Sequence, residues 1–260
     1  MNTFHIMRKE LRNYFSSTIA YAFLAIFLFI VGFFFYMSMV NYSMQSTFAA
    51  RNPMMIQRMN PSDLILSPLF SLMGFLLIFL IPVLTMRLFA EERKLGTIEL
   101  LFTYPITEMQ LVMGKFLAAV SVLVLMFGFT TVYMVLFTKA FGYVSTQIPW
   151  GSMGAGYLGL FLLSMAFMAF GMWVSSMTSD QVTSALATVG GLLVFWIIGS
   201  ARMDLSGPLM KVVEQISLVE HFQDFTKGVI DTHHIIYLVC FILFFVFLTI
   251  QVMEVRKWKG

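Results

Sequence analysis

The chain has 260 residues, of which 59% are hydrophobic and 11% are charged, and its formal net charge is +3. Soluble domains contain about 45–50% apolar and about 25% charged residues, so this composition excludes a soluble enzyme, a nucleic-acid-binding domain and a disordered regulator. The sequence therefore predicts an all-α protein that crosses a membrane several times.

Residues 1–17 predict an amphipathic helix that lies in the membrane interface. Its apolar face would contain Phe4, Met7, Leu11, Tyr14 and Phe15, and its polar face His5, Arg8, Lys9, Arg12 and Asn13. An apolar stripe with a basic back is typical of an interfacial helix, and a simple basic anchor is the alternative. The apolar run that follows exceeds the roughly 7–15 residues of a signal-peptide core, so we expect a retained membrane span.

Six apolar stretches are long enough for membrane helices, which need about 20 residues. They cover residues 19–40, 64–86, 111–137, 154–175, 182–198 and 235–253. None contains an acidic residue, and we expect Lys115, one turn inside the third stretch, to extend its ammonium group to the lipid headgroups. Ten Lys and Arg residues fall on the side of the two termini and six on the other side, which predicts cytoplasmic termini.

Residues 87–106, between the second and third stretches, form the candidate functional element, which we call the charged element. The run of residues 91–94, Glu-Glu-Arg-Lys, is expected to continue the second span. Gly96 would take the left-handed conformation that ends a helix. Thr97 would then cap a second, short helix that Pro105 ends, so that the charged element projects from the membrane as a helix–turn–helix.

The charged element combines charges with an apolar patch, which a solvated connector does not need. The candidate docking residues are Arg87, Glu91, Glu92, Arg93, Lys94, Gly96, Thr97, Glu99, Leu100, Leu101, Phe102 and Pro105. The alternative is a charged loop whose apolar residues rest on lipid headgroups. Directly after it, Thr107 and Gln110 predict a capping box at the start of the third span.

The sequence contains no motif for catalysis or nucleotide binding. It has no Walker A loop, no nucleophile beside a base and no histidine–cysteine cluster at zinc spacing, so we expect no catalytic residue, no cofactor and no metal site. Three methionines of an outer loop, Met54, Met55 and Met59, are interpreted as apolar filling rather than as a copper site. The pair His233-His234 receives the same structural interpretation.

Two stretches resemble a known family of membrane proteins. Residues 82–116, PVLTMRLFAEERKLGTIELLFTYPITEMQLVMGKF, contain the pattern R-x-F-A-E-E-R-x-x-G-T-x-E-L-L-x-x-x-P, and residues 216–257 resemble the closing segment of the same family. Over nearly its whole length the chain is similar to permease subunits of the ABC-2 type. The resemblance is greatest to the branch of gliding-motility and nitrous-oxide-reductase maturation permeases.

This resemblance implies a membrane subunit of an ATP-binding-cassette transporter in a bacterial inner membrane. Two copies, or one copy with a homologous permease, would form the pathway, and two separate subunits beneath them would bind ATP and Mg²⁺. The N-terminal helix and residues 87–105 would contact those subunits, and an extracytoplasmic auxiliary protein is a further partner to consider. A second, minor coupling loop would contain Ser176, Thr178, Ser179 and Asp180.

The same resemblance places short re-entrant helices at residues 207–230, before the last span. Apolar residues of this stretch are Leu209, Val212, Val213, Ile216, Leu218 and Val219, and polar ones are Glu214, Glu220, Asp224 and Lys227. The stretch is too apolar for a free loop and too interrupted to cross a bilayer. A half-inserted outer gate and an ordinary amphipathic surface helix are the two interpretations.

The fifth span carries small residues at helical spacing. Thr183, Ala187 and Gly191 recur every four residues, with Ser184 and Thr188 alongside. Small residues at this period allow two helices to approach closely, either within the subunit or across a dimer.

The function hypotheses are a transporter subunit and, as the alternative, a mechanotransmitting subunit that passes ATP-driven motion to an outer partner without moving a solute. A membrane enzyme is disfavoured because catalytic residues are missing. The spans offer apolar and hydroxyl side chains, which favour lipid-like, peptide or other hydrophobic cargo over small ions.

Overall fold

A computed structural model describes residues 2–49, 60, 62–97, 106–141, 150–200 and 217–257 of the chain. Every regular element within these ranges is helical. Six stretches are long and apolar enough to cross a membrane: Ala20–Phe48, Ser62–Lys94, Glu108–Lys139, Trp150–Met177, Gln181–Gly199 and Thr232–Lys257. The prediction of an all-α fold is confirmed for the described residues, and the six candidate spans overlap the six apolar stretches of the sequence.

The helices of the described residues are numbered in chain order. They are α1 (Asn2–Ser16), α2 (Thr18–Ala49), α3 (Ser67–Thr85), α4 (Ala90–Lys94), α5 (Glu108–Phe141), α6 (Trp150–Met177), α7 (Gln181–Ser200), α8 (Leu218–Thr226) and α9 (Thr232–Lys257). A single π-helical turn, Ser62–Leu66, leads directly into α3. α2 and α5 have 32 and 34 residues, or about 50 Å at 1.5 Å per residue, so both project beyond a hydrocarbon core of about 30 Å.

Helix α6 is the centre of the bundle. In the most apolar 18-residue stretch of α6, 72% of the residues are buried, against 17% in the corresponding stretches of α2 and α7. Small residues make this central position feasible, because a side chain at Gly156 would overlap the ring of Phe70 and one at Gly159 would overlap Phe225. The bulky rings of α3 and α8 therefore pack directly on the backbone of α6.

Helix α1 packs on the start of α5 with a face that differs from the predicted one. A side chain at Gly114 of α5 would overlap Ile6, and Glu10 is 9% exposed, whereas Phe4 and Phe15 are 63% and 45% exposed. Of the predicted apolar face, Met7, Leu11 and Tyr14 are therefore partly buried against the protein, and Phe4 and Phe15 are exposed. The reason is that α1 is rotated so that Glu10 faces Lys115 of α5, and the hydropathy pattern of α1 alone does not reveal this partner.

The small residues of α7 are divided between its two faces. Ser184 and Thr188 are completely buried, and a side chain at Gly191 would overlap the ring of Phe170 in α6. Thr183 and Ala187 are exposed. Packing within the subunit is therefore observed for one row, while the Thr183–Ala187 row stays available on the outside of the bundle.

Helix α8 is inserted among the other helices. Ser217 caps it by accepting a hydrogen bond from the backbone N–H of Glu220 at 3.2 Å. Leu218, Phe222 and Phe225 are at most 1% exposed, and Phe222 packs against the backbone of α3 at Gly74. Of the predicted re-entrant stretch, residues 207–216 lie outside the described residues, so its insertion as a whole stays a prediction.

The bundle has two chemically different ends. One end, the charged end, is defined by Glu10, Glu92, Lys115 and the pairs Lys94–Asp180 and Lys257–Glu108, and both α1 and the last turn of α9 lie there. The opposite end, the histidine end, contains His221, His233, His234 and Asp224, where α8 meets the start of α9. The even number of spans explains why α1 and the last turn of α9 share one end.

Candidate functional site

The charged element begins with a break between α3 and α4. α3 ends at Thr85, four residues turn the chain, and the five-residue α4 follows. The prediction that the second span continues into the charges is therefore modified, since the charges belong to a separate short helix. Glu91 and Glu92 lie in its first turn and Arg93 and Lys94 in its last turn, which complements the helix dipole.

A side chain from another helix satisfies the start of α4. The Ser175 hydroxyl of α6 accepts hydrogen bonds from the backbone N–H groups of Phe89 and Ala90, each at 3.2 Å, and it donates to the carbonyl of Met86 at 3.3 Å. α4 has no capping side chain of its own. Ser175 therefore fixes the entry to α4 against α6.

The end of α4 is confirmed as predicted at Gly96. Its φ is +67°, in the left-handed region, and a Cβ there would meet nothing within 4 Å. The N–H of Gly96 bonds to the carbonyl of Arg93, and the N–H and hydroxyl of Thr97 bond to the carbonyl of Glu92, which is a Schellman ending. These bonds of Thr97 close α4.

The second half of the charged element lies outside the described residues. This applies to Glu99, Leu100, Leu101, Phe102 and Pro105, and to the short helix that Thr97 was expected to cap. The capping box that follows is confirmed. The N–H of Thr107 donates to Gln110 Oε1 at 3.4 Å, and the N–H of Gln110 donates to Thr107 Oγ1 at 3.3 Å.

Lys115 corrects a prediction, because it does not reach the headgroups. Its side chain is 2% exposed, and its Nζ lies 2.9 Å from Glu10 Oε1 of α1 and 2.9 Å from Glu92 Oε1 of α4. The ammonium group also lies 5.3 Å from the centre of the Phe89 ring. A buried charge requires opposite charges as partners, so Lys115 draws α1 and α4 onto the start of α5.

Sequence reasoning missed Glu10 and Ser175 as members of the site. For Glu10 a signal exists, since Lys115 is the one basic residue within the predicted spans and a buried cation requires a carboxylate nearby. Nothing in the sequence distinguishes Ser175 from the other serines of α6, because its role depends on how α6 faces α4.

The turn between α6 and α7 is joined to α4. Asp180 accepts hydrogen bonds from the N–H groups of Val182 and Thr183, and Lys94 Nζ lies 3.1 Å from its carboxylate. The Lys94 ammonium group, assisted by the Thr183 N–H, lowers the pKa of this carboxyl group. Of the predicted second coupling loop, Asp180 is thus joined to α4, and the neighbouring Ser179 is exposed.

The other two residues of that loop serve the end of α6. Ser176 is buried and donates to the carbonyl of Trp173 at 2.6 Å, and Thr178 donates to the carbonyl of Val174 at 3.1 Å. Both hydroxyl groups are used within their own helix, so they stabilise the turn from inside.

The remaining candidate residues point in different directions from α4. Arg87 Nη1 donates to the hydroxyl of Ser17 at 3.2 Å, between α1 and α2, and Arg93 lies against α6 and α9 near Trp173 and Arg256. Leu95, which the prediction did not include, is 68% exposed at the tip of the turn. α4 therefore contacts its neighbours on several sides and presents its tip outward.

Tyr14 connects α1 to the end of α3, in addition to the contact of α1 with Lys115 of α5. Its hydroxyl donates to the carbonyl of Leu84 at 2.8 Å. Burial, and then the neighbouring Glu10 carboxylate, raise the pKa of this phenol, so it remains a hydrogen-bond donor throughout the neutral range. This hydrogen bond fixes α1 against the end of α3.

A cavity of about 580 Å³ opens beside the ion cluster, between α1, α2 and α3. Its lining includes the charged residues Lys9, Arg87 and Glu91 and the apolar residues Phe23 and Leu80. A lining that combines charged and apolar side chains suits an amphiphilic group.

Comparison with known proteins identifies a family for this arrangement. A model of the ABC-2 family transporter protein matches residues 4–243 of the chain. Two relatives, both named probable multidrug ABC transporter permease YbhR, come from Escherichia coli strain K12 and Escherichia coli O157:H7. Each is 26% identical over 147 residues, which cover 54% of this chain and 37% of the relative. The matched part thus spans just over a third of the length of these relatives.

Proposed function

Because this multi-pass membrane protein belongs to the ABC-2 family of transporter proteins, we propose that it is the permease subunit of an ABC transporter. In this proposal two separate cytoplasmic subunits bind ATP with Mg²⁺ and hydrolyse it, and the motion drives a substrate through or along two permease copies or a permease pair. The observation that carries the proposal is the buried cluster of Lys115 with Glu10 and Glu92.

The cluster supports coupling because it connects α4 to several membrane helices. Glu92 ties α4 to α5 through Lys115, Ser175 ties it to α6, and Lys94 ties it to the turn before α7 through Asp180. A force applied to α4 from below would therefore act on three spans and on α1 together. A free connecting loop has no need for such connections.

The docking surface in this proposal consists of the exposed tip of α4 and the apolar residues that follow it. Lys94, Leu95 and Gly96 are exposed, and Leu100, Leu101 and Phe102 continue from them in the sequence. Burial of apolar anchors supplies most of the affinity of such interfaces, while charges at the rim set orientation. Glu99 and the loop residues Ser179 and Asp180 belong to that rim.

The orientation follows from charge. With the charged end in the cytoplasm, the excess of Lys and Arg lies inside, as the positive-inside rule requires. We therefore place the protein in the bacterial inner membrane with both termini cytoplasmic, α1 as an interfacial elbow helix, and α8 at the outer side as part of a re-entrant gate.

The cargo and the process are proposed only by class. The names of the Escherichia coli relatives refer to multidrug permeases, and the apolar spans favour a hydrophobic cargo. The resemblance of residues 82–116 favours the gliding-motility branch. In that setting the alternative is mechanotransmission, because α9 runs as one continuous helix from the histidine end to the charged end and can pass motion to an outer partner.

The test is reconstitution of the full chain with its ATP-binding subunit in nanodiscs. We expect no ATP hydrolysis by the chain alone and vanadate-sensitive hydrolysis by the complex. Gly96→Val should reduce recovery of the ATP-binding subunit severalfold, since a β-branched residue resists a φ of +67°. Gly128→Val is the matched control, because a Cβ there also meets open space and the backbone is helical.

Hydrolysis by the chain alone, or failure of any ATP-binding subunit to co-purify with the wild-type chain, would contradict the proposed function. Equal recovery with Gly96→Val and Gly128→Val would contradict the assignment of α4 as the docking element. Uptake of a hydrophobic dye by vesicles that contain the complex separates transport from mechanotransmission.

A further inference from the structure

Three of the four histidines of the chain meet at the histidine end. His221 comes from α8, and His233 and His234 come from the first turn of α9. One ring nitrogen from each lies within 4.8 Å of the others. His221 is 3% exposed and the His234 side chain is 14% exposed, while His233 faces outward. Two helices therefore bring together three imidazoles that are not close in sequence.

The spacing of these nitrogens is close to that of a metal site. His221 Nδ1 and His234 Nδ1 share a hydrogen bond at 2.6 Å, and a bound metal ion would displace its proton. With metal–nitrogen bonds of about 2.0–2.1 Å, two ligands of a tetrahedral ion lie about 3.4 Å apart. The observed spacings, from 2.6 Å to at most 4.8 Å, lie on both sides of this value. Rotation of the exposed His233 ring and a slight separation of the other two would bring all three to it.

A carboxylate orients one of the rings as metal sites require. His234 Nε2 lies 3.0 Å from Asp224 Oδ2 of α8. Since a carboxylate accepts, this contact requires a proton on Nε2, and in the neutral imidazole the lone pair of Nδ1 then faces His221. A histidine that donates to a carboxylate through one nitrogen and binds metal through the other is the usual arrangement around zinc.

We propose that His221, His233 and His234 bind a divalent transition-metal ion of the zinc class, and that Asp224 is a positioning residue for His234. Imidazole ligands favour zinc, nickel and copper, whereas calcium and magnesium require oxygen ligands. Three protein ligands leave a fourth position for water or for a ligand from outside. The ion joins α8 to α9, so it stabilises the insertion of α8 at the histidine end.

This inference departs from the expectation that the chain has no metal site. That expectation rested on spacing in the sequence, where an adjacent histidine pair cannot be distinguished from two unrelated polar residues. The third ligand, His221, lies in α8, and the second half of α8 and the turn that follows it separate His221 from the pair. Only the packing of α8 against α9 brings the three rings together.

The experiment measures Zn²⁺ binding to the full chain in nanodiscs, after removal of any affinity tag, by equilibrium dialysis and elemental analysis. We expect one Zn²⁺ per chain, with at least tenfold weaker binding in His233→Ala and in His234→Ala. His5→Ala is the matched control, since His5 is the remaining histidine and lies on α1 at the charged end. Asp224→Asn should weaken binding about tenfold and leave the visible spectrum of bound Co²⁺ tetrahedral.

The exposed His233 carries the test, because its substitution does not disturb the packing of α8. A rise in thermal stability with Zn²⁺ in the wild type and in His5→Ala, absent in His233→Ala, would support the site. The proposal is overturned if the wild type binds no Zn²⁺. It is also overturned if all histidine variants bind equally, since the binding is then adventitious.

Discussion

The two ends of the bundle hold their ionisable groups in opposite ways. At the charged end, the ammonium group of Lys115 lies 2.9 Å from a carboxylate oxygen of Glu10 and 2.9 Å from one of Glu92, so the chain itself supplies the cation that two buried carboxylates share. At the histidine end, three imidazoles converge, and the Asp224 carboxylate contacts one of them, His234. The first cluster already contains its cation, whereas the second offers three ring nitrogens that bind one in our proposal.

The difference also concerns what holds the neighbouring short helix in place. α4 contains one apolar residue, Ala90, and its polar connections run to Lys115, Ser175 and Asp180. α8 is positioned by Phe222 and Phe225, whose rings pack on glycines of α3 and α6. The charged end should therefore respond to changes of charge, and the histidine end to changes of volume.

The largest effect should come from Lys115→Met. It leaves Glu10 and Glu92 buried without a cation, and breaking a buried ion pair typically costs about 3–5 kcal/mol. We expect a strongly lowered thermal unfolding temperature, measured by size-exclusion chromatography of heated samples. Lys139→Met, at the exposed opposite end of α5, is the matched control and should match the wild type.

A triple variant sharpens this prediction. Replacing all three charges, with Glu10→Leu, Glu92→Leu and Lys115→Met, removes the unpaired carboxylates, so most of the stability should return. A triple variant as unstable as Lys115→Met would mean that packing rather than charge balance holds α1 and α4 on α5.

A smaller effect is expected at the histidine end from Gly159→Ala. The added methyl group would overlap Phe225, and overpacking a core costs about 1–3 kcal/mol. Gly154→Ala, one turn earlier in α6, meets nothing within 4 Å and should not lower stability. Thermal unfolding of the two variants side by side measures the difference, and equal unfolding temperatures would show that α8 does not rest on α6.

The smallest of the three effects is expected from Ser175→Ala. The substitution leaves the N–H groups of Phe89 and Ala90 without their acceptor, at a cost of about 1–2 kcal/mol. Protease accessibility of α4 should rise and recovery of the ATP-binding subunit should fall. The neighbouring Ser176→Ala is the control, since the Ser176 hydroxyl donates to the carbonyl of Trp173 within α6. If both serine variants behave alike, α4 is not held by α6.

Several features of this protein were determined by the sequence alone. The six spans follow from local hydropathy, because the transfer of an apolar helix into lipid depends on its own residues. The end of α4 at Gly96 and the capping box of Thr107 and Gln110 follow from short-range backbone chemistry. In each case the deciding interaction spans only a few residues.

The two clusters were decided by tertiary structure. Lys115 and Glu10 are 105 residues apart, and Ser175 is 85 residues from Ala90. Whether such groups meet depends on how each helix is rotated about its axis and which neighbour it packs on. The same is true of α7, where Ser184 faces inward and Thr183 outward. Hydropathy records how strongly a residue prefers lipid or water, but a buried charge or imidazole is placed by its partners, and those are chosen only when the helices pack.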